Sequence, residues 1–302
     1  MRLLKTKRQK VDHVEFGPNG GLLAHGRDEA VYWANPTVEE KPLKVSGRYI
    51  WGAAVIGVGD PIAVGNSAGV HLHRLTDGHL QRVLGEDQRG YSISAAGVSV
   101  ILLHAVSCPL LAYAIDPEGC GEQLWHLDWD EELPHFRTGK PCVMPDGKHF
   151  VQFEWRDWRY PGGVIWLVRR EVRSGRLIGE SAVEEYAEEG GRMSADGQLL
   201  AHVDGPKVHV LKVNDGAVGR VTVIEDSAGK HFTGLAFHPS GRFLAATSND
   251  ATVKLYDTSN WSLATAYTWD VGRMRSVAFS PDGTLAAAGS DTGRVVVWDV
   301  DV

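Results

Sequence analysis

The residues best spaced for metal chemistry are His71 and His73, which alternate along a strand-like segment. Residues two apart on a strand point to the same side, so both imidazoles lie on one face, as two ligands of a metal ion would. A structural or catalytic zinc site needs at least a third protein ligand, and none stands out in the sequence. We therefore expect both histidines to pack at the surface or between sheets, and we predict neither a metal nor another cofactor.

Four further features are candidate catalytic signals. Residues 65–69 read Gly-Asn-Ser-Ala-Gly, but no helix follows them, as a nucleophile elbow requires. No glycine cluster opens a helix, so none is predicted to bind phosphate. Cys142 is interpreted as a small buried apolar residue. Glu15 is the only carboxylate on the strands that the repeats place innermost, and one carboxylate forms no acid–base pair. We therefore predict that the protein is not an enzyme.

Composition and charge exclude several other classes. A net charge of −7 argues against general nucleic-acid binding, which depends on clustered Lys and Arg. Cys108, Cys120 and Cys142 are scattered and show no CxxC spacing. The amino terminus lacks an apolar signal segment, and no run of 18 apolar residues occurs. The sequence predicts a soluble protein of the reducing cytoplasm that does not bind membranes.

An internal repeat determines the predicted fold. Residues Phe232–Asp257 align without a gap on Met274–Asp299, and nine of these 26 positions are identical. Each copy contains a short apolar strand, a turn of Pro-Asp-Gly or Pro-Ser-Gly, a small-residue strand, a second turn and a β-branched strand. A fixed period of about 40 residues with this pattern is typical of β-propeller blades.

The two copies resemble WD repeats, in which the third strand of each blade ends in Trp-Asp. The resemblance rests on Phe237–Gly241 with Tyr256-Asp257, and on Phe279–Gly283 with Trp298-Asp299. It implies a propeller that assembles protein complexes. The Gly-His pair usual before an inner strand is absent before Met274, and five other blades are degenerate. We therefore expect apolar stacking between blades to supply more of the stability.

Seven turn glycines set the blade count. They are spaced 38 to 50 residues apart: Gly20, Gly59, Gly97, Gly147, Gly197, Gly241 and Gly283. We predict an all-β fold in which residues 1–302 form a single seven-bladed propeller with four antiparallel strands per blade, the blades starting near residues 13, 50, 90, 140, 190, 232 and 274. Too few residues follow Asp299 for a fourth strand, so residues 3–10 are predicted to complete blade seven and remove an open sheet edge.

Insertions mark a candidate binding site around blade four. They fall on the top face, where inner strands begin and where second strands turn into third strands. The predicted partner-binding residues are Trp129, Asp130, Glu131, Phe136, Trp155, Trp158 and Tyr160. Further acidic residues surround them: Asp128, Glu132, Glu184, Glu185, Glu188 and Glu189. Aromatic anchors with an acidic rim favour a protein or peptide carrying a cationic segment.

Two alternatives for these residues stay open. Trp155 and Trp158 could cap the core under their own insertion, with Arg156 and Arg159 paired to residues 128–132. A small-molecule site is the other alternative. Basic residues near inner-strand starts leave the sign of the partner's charge open: Arg48, Arg89, Lys140 and Arg273.

We predict a non-catalytic scaffold or adaptor that binds a protein or peptide on the top face around blades three to five. Two rival functions remain. The first is an enzyme or small-ligand binder that uses the central channel. The second is a permanent subunit of a larger complex, whose interface would bury the aromatic cluster.

Overall fold

Short strands separated by glycine turns follow one another along the whole described chain, and every strand pairs antiparallel with its neighbours in the sheet. The computed structural model describes residues 1–6, 10–57, 61–84, 92–96, 99–105, 108–115, 121–127, 137–156, 164–183, 190–214 and 217–300. The 29 strands of these residues form seven separate sheets. Within the same residues no helix is long and apolar enough to span a membrane.

The first three blades are regular four-stranded sheets. Blade one contains β2 (His13–Phe16), β3 (Leu22–His25), β4 (Glu29–Trp33) and β5 (Leu43–Ser46). Blade two contains β6 (Gly52–Val55), β7 (Pro61–Asn66), β8 (Gly69–Arg74) and β9 (Leu80–Leu84). Blade three contains β10 (Ser92–Ala96), β11 (Val100–Ala105), β12 (Cys108–Ile115) and β13 (Gly121–Leu127).

The last four blades complete the ring. Blade four contains β14 (Arg137–Thr138), β15 (Cys142–Val143), β16 (His149–Arg156), β17 (Val164–Glu171) and β18 (Leu177–Val183). Blade five contains β19 (Gly191–Met193), β20 (Leu199–Asp204), β21 (Lys207–Asn214) and β22 (Ala217–Glu225). Blade six contains β23 (Phe232–Phe237), β24 (Phe243–Ser248), β25 (Thr252–Asp257) and β26 (Ser262–Thr268). Blade seven contains β27 (Met274–Phe279), β28 (Leu285–Ser290), β29 (Arg294–Asp299) and, as its outermost strand, β1 (Arg2–Lys5).

These sheets confirm the predicted seven-bladed all-β propeller. Each described blade begins within three residues of its predicted start. The turn glycines have the left-handed backbone that a tight reversal requires: Gly20, Gly147, Gly197, Gly241 and Gly283, with φ between 62° and 81°. Gly59 and Gly97 lie outside the described residues.

The amino-terminal strand closes the ring, as predicted. Strand β1 pairs with β29 from Arg2 to Lys5. The backbone N–H and the hydroxyl of Thr6 both donate to the carbonyl of Gly293, at 2.9 and 3.0 Å. Of the predicted strand 3–10, residues 7–9 lie outside the described residues.

The inner strand of blade four is broken, which the repeat pattern did not predict. Strands β14 and β15 both pair with β16, and the segment between them contains Pro141, which has no N–H to donate. Lys140 instead forms a parallel bridge with Gly190 of the next blade. The break therefore places Lys140 beside blade five.

Apolar side chains fill the spaces between neighbouring blades. One cluster joins blades five and six through Val210, Phe232 and Leu244, and another joins blades six and seven through Leu255 and Trp298. Hydrogen bonds also link inner strands: Val14 N–H donates to Ser276 Oγ at 3.0 Å. This arrangement makes the inner strands a rigid frame for the channel at the centre of the ring.

Candidate functional site: the top face and the central channel

The segment between blades one and two exposes two aromatic side chains on the top face. Tyr49 is 45% exposed and Trp51 is 57% exposed, although Ile50 between them is buried. Large aromatic residues are common anchors of protein interfaces because they offer apolar area with few rotatable bonds. The pair stands directly before the inner strand β6.

Backbone hydrogen bonds hold this segment against the turns beside it. Gly47 N–H donates to Asp28 O at 3.0 Å, and Ile50 N–H donates to Arg27 O at 2.7 Å. Trp51 N–H donates to Gly65 O of blade two at 2.9 Å. The aromatic pair is therefore presented by fixed backbone, which lowers the entropy lost when a partner binds.

Arginine residues surround the pair. The Arg27 guanidinium lies over the Tyr49 ring, 4.3 Å from its centroid, and the neighbouring Arg48 is exposed. Tyr49 has φ of 55°, a left-handed conformation that costs energy in a residue with a side chain. Such outliers are concentrated at functional sites, so this residue marks the surface as a candidate.

Most of the predicted blade-four site lies outside the described residues. This applies to Trp129, Asp130, Glu131, Phe136, Trp158 and Tyr160, and to the acidic residues predicted around them. Trp155 is described: it is 9% exposed and packs with Phe153 and Leu167. For this residue the structure favours the alternative of a core side chain. Trp125 is also structural, because its indole N–H donates to Val172 O at 2.7 Å and its ring stacks on Phe150.

A buried ion network lies under the same part of blade four. Glu154 is fully buried and accepts hydrogen bonds from Arg156 at 2.9 Å and Arg170 at 3.1 Å. Arg156 also donates to Glu180 at 2.7 Å. Arg156 therefore forms ion pairs within the protein, as expected if the blade-four tryptophans belong to the core. Its described partners, Glu154 and Glu180, belong to its own sheet.

The central channel contains charged side chains that the sequence analysis did not bring together. His13 and Glu15 come from blade one, Lys140 and Cys142 from blade four, and Arg192 from blade five. They line a cavity of about 470 Å³. Glu15 also joins two blades, because its Oε1 accepts a hydrogen bond from Val55 N–H at 2.9 Å.

Burial controls the protonation of the channel groups. It lowers the pKa of Lys140 to about 8, helped by the nearby Arg192 cation and opposed by Glu15. Burial also raises the pKa of Glu15 and of the Cys142 thiol. The pKa of His25, whose ring centroid lies 5.6 Å from that of His13, falls to about 3 through burial and the charge of His13.

His71 and His73 stack with ring centroids 6.1 Å apart. No group of three or more His, Cys, Asp or Glu side chains in the described part of the chain is arranged to hold a metal ion.

Comparison with known proteins identifies the repeat family of blades six and seven. The family model of the WD domain, G-beta repeat, matches residues 221–257 and 264–299. The first stretch contains the first three strands of blade six, and the second contains the first three strands of blade seven. Blades six and seven are WD repeats. The resemblance predicted from Trp298-Asp299 and its equivalents is thereby confirmed.

Known proteins are similar to parts of the chain. Actin-interacting protein 1 of Caenorhabditis elegans is 34% identical over 114 residues, which are 36% of this chain and 18% of that protein. Meiotic recombination protein rec14 of Schizosaccharomyces pombe is 27% identical over 141 residues, 46% of this chain and 45% of that protein. The chain thus matches less than half the length of either relative.

The complete ring is similar to a solved propeller. The β-propeller domain of Cps50 (Swd1) from Myceliophteria thermophila superposes with a TM-score of 0.78 at 15% identity, covering 98% of this chain and 99% of that one. At this identity the likeness concerns the fold. WD-repeat propellers in general serve as scaffolds for protein interaction, and the WD repeats support that broad class of function here.

Proposed function

We propose that this WD-repeat propeller is a non-catalytic scaffold that binds a protein or peptide on its top face, with Tyr49 and Trp51 as anchors. The observation that carries the proposal is the exposure of these two aromatic rings on a segment fixed by three backbone hydrogen bonds. A rigid, exposed tryptophan loses little conformational entropy on binding and brings a large apolar area to an interface.

The positive charge beside Tyr49 and Trp51 indicates which chemical groups a partner would carry. Arg27 and Arg48 flank the aromatic pair, and the Arg27 guanidinium already lies over Tyr49. A partner segment with an apolar side chain next to an acidic one would contact Trp51 and pair with these arginines. Around blades four and five, the acidic insertions of the sequence favour a partner with a cationic segment. We therefore propose a second contact area there, formed by Trp129, Asp130, Glu131, Phe136, Trp158 and Tyr160.

The relatives support only the class of function. One of them is named as an actin-interacting protein, which fits a chain that acts by binding other proteins. A cytoplasmic location stays a prediction of the sequence.

Affinity capture from a native lysate tests the proposal. The wild-type chain is compared with Tyr49→Ala/Trp51→Ala, with Trp129→Ala/Trp158→Ala, and with the control Val38→Ala. Val38 is 48% exposed on the opposite face, between β4 and β5, so the control removes a similarly exposed apolar group. Thermal unfolding establishes that each variant folds.

We expect at least one protein to be enriched by the wild type and by Val38→Ala, and to be lost with one of the top-face double variants. The variant that loses it identifies which contact area binds. Equal recovery by all four proteins, or no enrichment by the wild type, would contradict the proposal.

A further inference from the structure

The central channel holds two cations that have no carboxylate partner in the described part of the chain. Lys140 makes no ion pair there, and the Arg192 guanidinium donates one hydrogen bond, to Gly191 O at 3.1 Å. The carboxylate of Glu15 is occupied by Val55 N–H and lies 3.5 Å from His13 Nε2. Among the described residues, both cations therefore retain donors without a hydrogen-bond acceptor.

Lys140 and Arg192 are half-buried on the channel wall. Positive charges in such a partly desolvated site attract an anion more strongly than charges on the open surface do. Glu15 offsets part of this positive charge, and burial lowers the pKa values of His13 and His25, which disfavours a positive charge on either ring. The channel wall therefore favours an anionic ligand.

The shape of the channel adds a second constraint. Its volume of about 470 Å³ falls within the range of about 300–1,000 Å³ typical of small-molecule sites. Phe16, Phe237 and Phe279 line the cavity at the last positions of their inner strands, and Lys140 and Arg192 line it from blades four and five. The cavity wall therefore offers both cationic and aromatic side chains.

We propose that the central channel binds a small organic carboxylate, with the carboxylate between Lys140 and Arg192 and the apolar body against Phe16, Phe237 and Phe279. The guanidinium of Arg192 suits a planar carboxylate, and Lys140 adds a point charge. This site is separate from Tyr49 and Trp51 and does not depend on the proposed partner binding.

Isothermal titration calorimetry with benzoate tests the proposal. Benzamide has the same size and shape without the charge, and inorganic phosphate has the charge without the apolar body. The channel variants are Lys140→Met and Arg192→Met, with Lys44→Met on the exposed side of β5 as the control. We expect the wild type and the control to bind benzoate at least about tenfold more tightly than either channel variant binds it. We also expect benzamide and phosphate to bind more weakly than benzoate.

Alkylation of Cys142 in the wild type gives a readout that needs no variant. Cys142 lines the same cavity, and benzoate bound there is expected to slow its reaction with iodoacetamide at pH 7.5, where Lys140 is still protonated, measured on the peptide that contains it. Tyr49→Ala/Trp51→Ala is expected to bind benzoate normally, which separates this site from partner binding. No benzoate binding, equal binding by the channel variants, or equal binding of benzamide would overturn the proposal.

Discussion

Leu4 of the amino-terminal strand lies directly opposite Val295 of the last blade, so the two ends of the chain share one sheet. Leu4 is buried and packs with Val295 and Val297, while its neighbour Leu3 is 41% exposed on the other side of the strand. The stability of the ring therefore depends on a strand far from blade seven in sequence.

Leu4→Ala is expected to lower the free energy of unfolding by about 2–3 kcal/mol, because it leaves a cavity at the closure. Leu3→Ala is the matched control on the same strand and should change it by about 0.5 kcal/mol or less. Urea unfolding measures both values. Equal effects of the two substitutions would show that the strand does not close the ring in this register.

The buried carboxylate of Glu154 lies between Arg156 and Arg170 in blade four. Glu154→Gln is expected to destabilise the protein by about 3 kcal/mol, because it removes the carboxylate that pairs with Arg170 and one of the two carboxylates that pair with Arg156. Glu180→Gln, at a more exposed position of the same network, should cost less than about 1 kcal/mol. Thermal unfolding compares the two, and the reverse order would contradict the network as described.

Acid should destabilise the fold through His202. Its ring is fully buried between Phe153 and His209, and burial followed by the charge of His209 lowers its pKa to about 4. The unfolded chain therefore binds a proton near pH 6.5 that the folded chain does not, so stability falls as the pH falls from 6.5 to 4.

His202→Leu should reduce this loss between pH 7.5 and 4.5 by about 2 kcal/mol. The exposed His79→Leu is the control and should keep the wild-type slope. Urea unfolding at the two pH values provides the comparison. An unchanged slope in His202→Leu would mean that His202 is protonated in the folded chain.

Lys140 should produce a dependence of the same sign in alkali. Because its pKa of about 8 in the fold lies below the ordinary value of 10.5, the unfolded chain retains its proton over this interval. The free energy of unfolding is therefore expected to rise between pH 8 and 10.5 relative to Lys140→Met, by an amount on the order of 1 kcal/mol. Lys44→Met should show the same pH dependence of the free energy of unfolding as the wild type. Parallel curves for the wild type and Lys140→Met would contradict the buried position of this amine.

The repeats made the blades predictable, but not the channel. Gly283 and Trp298 occupy positions that recur along the chain, so their roles follow from local pattern. Lys140 enters the channel because Pro141 interrupts an inner strand, and Arg192 stands between Gly191 and Met193 in a strand without a motif. Only closure of the ring brings these cations together with Glu15, and no local pattern contains that information.

The exposed aromatic pair was missed for a different reason. Tyr49 and Trp51 flank the buried Ile50 directly before a strand, where aromatic residues are as compatible with a core as with a surface. Their exposure follows from the left-handed backbone at Tyr49 and from the hydrogen bonds to the turns of blades one and two. A sequence reading has no access to either.

Site-specific photo-crosslinking tests the central claim of top-face binding most directly. The photoreactive residue p-benzoylphenylalanine replaces Trp51 in one protein and Val38, on the opposite face, in another, and each is irradiated in the native cells. The scaffold account predicts a discrete crosslinked protein from the Trp51 position that is missing or much weaker from the Val38 position. Equal crosslinking from both faces, or none from the Trp51 position, would contradict it.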